Sequence, residues 1–136
     1  MSKNTDRGTS FETEIKRRLE CSFHEATFEV KTSKGSGNQR HDGDIQVIRK
    51  EGLIKNLLYI DCKNYRSAAV PSLEQIHKAS KQGDRLGFFI SATVMKNKRQ
   101  EDIVSMRYED FENLVEAMAR HSAVALQTKE SVLNKI

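Results

Sequence analysis

The 136-residue sequence contains no tryptophan, a single proline and two cysteines, and only 7% of it is aromatic. Cys21 and Cys62 have no metal-ligand spacing, which argues against a zinc-stapled fold. Cys62 falls in an apolar run and reads as a small buried residue of a reducing compartment. No apolar run approaches the roughly 18 residues of a membrane span, and the Met1–Arg7 start is polar rather than leader-like. The expectation is a cytoplasmic protein without a membrane partner. Also missing are a glycine-rich phosphate loop with its lysine, a His-Glu-x-x-His motif, and a serine or cysteine nucleophile beside a plausible base. What the chain has is charge: 31% Asp, Glu, Lys and Arg, with a net charge of +4. That balance permits an anionic partner without requiring one.

The length suits one domain, expected over residues 8–136 behind a disordered 1–7. The organising stretch runs from Gly43 to Tyr65. Asp44-Ile45-Gln46-Val47-Ile48 is rich in β-branched residues and reads as a strand. Leu57-Leu58-Tyr59-Ile60 reads as a second strand, covered on both faces. Lys50-Glu51-Gly52 and Lys55-Asn56 supply the turn between them. An antiparallel hairpin centred near Leu53 sets Asp44 opposite Asp61 to Lys63, at a strand spacing of roughly 5 Å. Residues two apart share a face, so Asp61 and Lys63 project together and Cys62 points away. Two carboxylates and an ammonium at one edge of an apolar sheet need either mutual pairing or a metal.

Around this hairpin the pattern predicts the order α-β-β-β-α-β-β-α: an α/β fold with a central mixed sheet and helices on both faces. Phe11, Ile15 and Leu19 form the stripe of a first helix capped at Thr9 or Ser10. Glu12 has two readings there, as the acid of a Thr-x-x-Glu capping box and as an acid of the charged site; Glu14 lies further round. Phe28-Glu29-Val30-Lys31 is a first strand. The segment Thr32 to Gly43 is a Gly/Ser-rich loop leading into Asp44. With Lys31, Lys34, Asn38, Gln39, Arg40 and His41 in or beside it, phosphate contact is the functional reading and a plain linker the bland one. His41 is either a proton or metal group or a solvent-facing side chain. Ser72 caps a second helix through about Lys81, ended by Gly83-Asp84, on which Lys78 and Lys81 either follow a phosphate backbone or face water. Leu86 to Val94 reads as a buried strand and Ile103 to Met106 as a short one. Phe111, Leu114, Val115, Met118 and Ala119 mark a final amphipathic helix.

Mg2+ takes oxygen ligands and needs few carboxylates from protein, so Asp44 and Asp61, with Lys63 beside them, suit hydrolysis at a phosphate. These residues also carry a resemblance. Gly43-Asp44, followed at the end of the next strand by Asp61-Cys62-Lys63, resembles the PD-(D/E)XK nuclease superfamily. Gly8-x-x-Phe11-Glu12 with Ile15 and Leu19 is similar to the first helix of small archaeal and phage Holliday junction resolvases. The chain departs from these in having Gly43 where proline is usual and Asp61 where the resolvases usually carry glutamate. The resemblance implies a restriction-endonuclease-like fold and Mg2+ dependence, with Mn2+ able to substitute. It implies catalytic roles for Glu12, Asp44, Asp61 and Lys63, with metal held by Asp44, Asp61 and Glu12.

The expected function is a DNA endonuclease selective for branched DNA, acting as a homodimer so that two strands are cut symmetrically. Expected DNA contacts are Lys31, Lys34, Asn38, Gln39, Arg40, His41 and Lys78. Two alternatives stand beside it: a sequence-specific restriction- or homing-type endonuclease, and a non-catalytic nucleic-acid-binding module of the same fold.

Overall fold

The computed structural model describes residues 3–33, 43–64 and 68–120, with side chains described from Phe11 onward. Lys34, Asn38, Gln39, Arg40 and His41 therefore lie outside the described residues, as do residues 121–136. The elements run α1 (Lys3–Ser22), β1 (Phe28–Ser33), β2 (Gly43–Arg49), β3 (Asn56–Asn64), α2 (Leu73–Arg85), β4 (Ile90–Lys96), β5 (Asp102–Ser105) and α3 (108–120). One five-stranded sheet has the order β1-β2-β3-β4-β5. β3 and β4 are parallel and the other neighbours antiparallel, which makes the sheet mixed. The single parallel step is the one bridged by a helix, as a parallel crossover requires.

α1 covers one face. Phe11 and Ile15 pack with Ile45, Ile60, Cys62 and Val94 to form the core. Polar clamps flank it: Arg18 to Asp102 at 2.7 Å, Lys96 to Glu14 at 3.6 Å, and the Lys96 ammonium 5.5 Å from the centre of the Phe11 ring. α1 starts at Lys3, six residues before Thr9. Thr9 is therefore inside the helix and cannot cap it, so the capping-box reading of Glu12 falls, and residues 3–7 are helical rather than the expected disordered start. No proline interrupts Lys3–Ser10, although Asn4, Thr5, Asp6 and Gly8 are weak helix formers.

α2 covers the opposite face. Its N-cap is Ser72, whose hydroxyl accepts from Gln75 N while Gln75 Oε1 accepts from Ser72 N, a reciprocal capping box. The helix continues through Gly83 to Arg85 instead of ending there. Gly83 is needed for close approach: a Cβ at this position would overlap the Ser91 Oγ of β4. Tertiary packing, not chain termination, is what this glycine serves. Residues 86–89 form the turn, so β4 begins later than expected, at Ile90.

β5 pairs only with Thr93 to Lys96, which leaves the first residues of β4 without a neighbour on that side. α3 supplies substitutes. Asp110 Oδ1 accepts from Ser91 N at 2.9 Å, and Asn113 Nδ2 donates to Phe89 O at 3.0 Å. Arg107 donates to Asp110 and, through both terminal nitrogens, to Asp84 of α2. These polar anchors set the rotation of α3. Phe111, Val115 and Met118, which carry the apolar period of this amphipathic helix, are 49%, 46% and 60% exposed.

Candidate active site

The β2–β3 hairpin turns at residues 50–55, where Gly52 takes a φ of +111° that favours glycine, and Leu53 is fully exposed. From that turn the register places Asp44 directly opposite Asp61, with Ile45 opposite Ile60 and Gly43 opposite Cys62. Alternation then sorts β3 into two rows. Ile60 and Cys62 face α1, and Tyr59, Asp61 and Lys63 face the other way. Asp44 shares the Asp61 face through its register, as does Gln46 through Tyr59. Across the parallel step the same face receives Ser91, Thr93 and Met95.

This face is polar and dry. Asp61 and Lys63 are 5% and 3% exposed, and the Lys63 ammonium lies 3.4 Å from Asp61 Oδ2. Asp61 and Lys63 both make further interactions besides this pair. An ammonium beside a carboxylate offsets the cost of burying either one. Asp44 is half-buried and accepts a hydrogen bond from the Tyr59 hydroxyl. Burial first, then that hydrogen bond and the charges of Asp44 and Asp61, raise the Tyr59 phenol far above its ordinary value and keep it protonated as a donor. In sequence Tyr59 reads only as an apolar strand residue; its spacing two before Asp61 is the signal that places it on the acidic face. Thr93, the register partner of Asp61, is fully buried, and its hydroxyl oxygen has no hydrogen-bond partner among the described residues.

Glu12 and Glu14 part company. Glu14 is exposed and pairs with Lys96. Glu12 is partly buried, and its carboxyl is raised by desolvation and then by the charge of Asp44, against a smaller lowering by Lys16. It belongs to α1, whose core side meets the other face of the sheet, so it approaches the site from outside the Asp61–Lys63 row. Cys62, on the α1 side, has its thiol pushed strongly up, by burial first and then by Asp61, Glu12 and Asp44. It is an inert core residue. Lys31 is exposed on the edge strand β1; pairing with Gln46 puts it on the Asp44 face. Lys78 is exposed on α2.

Among the described residues, no group of three or more His, Cys, Asp or Glu side chains is gathered closely enough to hold a metal. Glu12, expected as a third metal acid, senses Asp44 but does not complete such a group. A cage supplied entirely by protein is thus not what the described residues offer. The opposed Asp44 and Asp61 do fit Mg2+, which is usually held through one or two carboxylates, with water and substrate phosphate completing the shell.

No family model matches the chain, and comparison with curated proteins and with solved structures found no match. The class that fold and site define is an α/β domain with one mixed sheet flanked by helices and a buried Asp–Lys pair facing a second aspartate. Among the described residues no helix is long and apolar enough to cross a membrane.

Proposed function

We propose that the protein is a Mg2+-dependent DNA endonuclease of restriction-endonuclease-like fold, of the PD-(D/E)XK kind, that cuts branched DNA as a homodimer. The observation that carries this reading is the register of β2 against β3. It faces Asp44 with Asp61 and sets Lys63 beside Asp61 in a largely buried row. A solvated ion pair at a strand end would be exposed and worth little; this pair is neither solvated nor isolated from a second acid.

Asp44 and Asp61 are the residues that would hold the ion, and Mn2+ would replace Mg2+. When bound, such an ion lowers the pKa of a water and neutralises charge on a phosphate. Lys63 holds a positive charge beside Asp61, positioned against negative charge developing on the phosphate. The Tyr59 hydroxyl orients Asp44 through its hydrogen bond. Glu12 is the helix acid whose protonation is tied to Asp44. Branched DNA is favoured because a small basic body grips phosphates and shape rather than base sequence. A homodimer would present two such sites to two strands.

The test is incubation of the purified protein with labelled four-way junction, duplex and single-stranded DNA, with Mg2+ or with EDTA. Expected is Mg2+-dependent cleavage of the junction above the duplex, lost in Asp61→Asn. Equal products from wild type and Asp61→Asn would remove the proposed site.

A further inference from the structure

α2 has two unlike sides. Ala79, Ser80 and Gly83 are buried against the sheet, Gly83 directly over Ser91 and Tyr59. Lys78, Lys81 and Arg85 are all exposed. Their i, i+3, i+7 spacing aligns three cations along roughly 10 Å of one helix face. Together with His77 they line an open hollow of about 650 Å3. Arg85 donates to Gln82 Oε1 at 2.6 Å, and among the described residues Lys78 and Lys81 have no ion-pair partner. The acid lining this hollow is Glu74, in the first turn; Asp84, three residues after Lys81, is held by Arg107.

The position of the stripe is fixed by the crossover. Ala68 O and Ala69 O accept from Lys98 N and Asn97 Nδ2, which ties the start of α2 to the Lys63 end of the sheet. Leu86 O accepts from Asn56 Nδ2, which ties its end to the far end. The cations therefore lie on the side of α2 turned away from Asp61 and Lys63, separated from them by the thickness of a helix, about 10 Å. Phosphates touching this stripe are not those at the Asp44–Asp61 edge. Measured along a duplex axis, the stripe covers about three base-pair steps at a rise of 3.4 Å each.

We propose that Lys78, Lys81 and Arg85 grip the backbone of a second duplex segment, separate from the segment at the Asp44–Asp61 edge. This inference rests on the nucleic-acid reading above and extends it: a substrate reaching both places has to branch or bend. An anionic membrane is the less suitable partner, because an interfacial helix needs a broad apolar face and Leu73 is the only large apolar residue on this one.

The test measures binding, in EDTA, of a labelled duplex and a labelled four-way junction over a salt series. For the triple variant Lys78→Ala/Lys81→Ala/Arg85→Ala, the slope of log K against log salt on the junction is expected to fall by about 2 to 3. Glu74→Lys, which adds a cation to the same face, is expected to steepen it by about 1. Unchanged slopes in both variants overturn the proposal. So does absence of DNA binding by the wild type, or binding to phosphatidylserine vesicles that the triple variant loses while its DNA slope is unchanged. Cleavage is read separately. Altered slopes without any cleavage keep the stripe and remove the endonuclease, and cleavage with unaltered slopes removes the stripe alone.

Discussion

Lys63 Nζ stands 3.4 Å from Asp61 Oδ2, and the two side chains are 3% and 7% exposed. Removing one partner of such a pair costs far more than replacing both with apolar groups of similar shape. Lys63→Met is therefore expected to lower stability by roughly 3 kcal/mol in urea unfolding. A second substitution, Asp61→Leu, should restore much of that loss. Activity separates the roles: the single and the double variant both lose cleavage by at least about 100-fold, because neither keeps the charge beside the phosphate. Restored stability with restored cleavage would make the pair a structural device only.

Tyr59 is buried, its ring 5.7 Å from that of Phe88, and its hydroxyl donates to Asp44. Tyr59→Phe keeps the ring packing and deletes the donor. The expected stability change is about 1 kcal/mol. Metal-dependent cleavage should fall by about 10- to 100-fold, the usual effect of losing a group that orients a ligand. The informative measurement is the Mg2+ concentration for half-maximal cleavage, which should rise. An unchanged Mg2+ requirement would show that Asp44 does not depend on this hydroxyl.

The contact between Gly83 and Ser91 sets how closely α2 lies on the site face. Gly83→Ala is expected to cost about 1 to 3 kcal/mol in thermal unfolding, as overpacking does. Ser91→Gly alone removes the obstructing side chain and a buried hydroxyl oxygen that has no hydrogen-bond partner among the described residues. The pair Gly83→Ala/Ser91→Gly should therefore be more stable than Gly83→Ala alone. If the two losses simply add, α2 is held by something other than this contact.

Much of this arrangement was legible from the sequence, for reasons that differ between elements. β2 and β3 carry their periodicity and turn residues locally, so the opposition of Asp44 and Asp61 follows from strand geometry alone. Ser72 announces α2 as its N-cap, and the structure completes the cap with Gln75. What failed depended on contacts distant in sequence. Gly83 looked like a helix stop because its partner, Ser91, lies on another element. The apolar repeat of α3 marks an amphipathic helix without telling which side packs inward; that is set by Asp110 and Asn113 binding the start of β4, with Phe111, Val115 and Met118 left exposed. Thr9 looked like a cap because the pattern Thr-x-x-Glu is short and arises by chance. Tyr59 was hidden by its own apolarity, since its hydroxyl matters only once Asp44 is known to be beside it.

Glu12 joins the fold to the site through pH. Its carboxyl is raised above the ordinary value of 4.5, by burial first and by Asp44 second. The folded protein therefore binds this proton more tightly than the unfolded chain. Between the ordinary and the raised value the folded state holds the extra proton, so stability falls as pH rises through that window. Glu12→Gln removes the charge that is disfavoured, and near neutral pH it is expected to melt at a higher temperature than wild type. Below the ordinary value of 4.5 both states are protonated in the wild type, and the difference should vanish. Mg2+ held beside Asp44 would counter the negative field on Glu12, so it should narrow the gap at neutral pH while raising both melting temperatures. Cleavage by Glu12→Gln is expected to drop even as stability rises, the trade-off of a residue kept for activity at a cost in stability. A variant that melts no higher at neutral pH, or that cleaves as well as wild type, would place Glu12 outside the site.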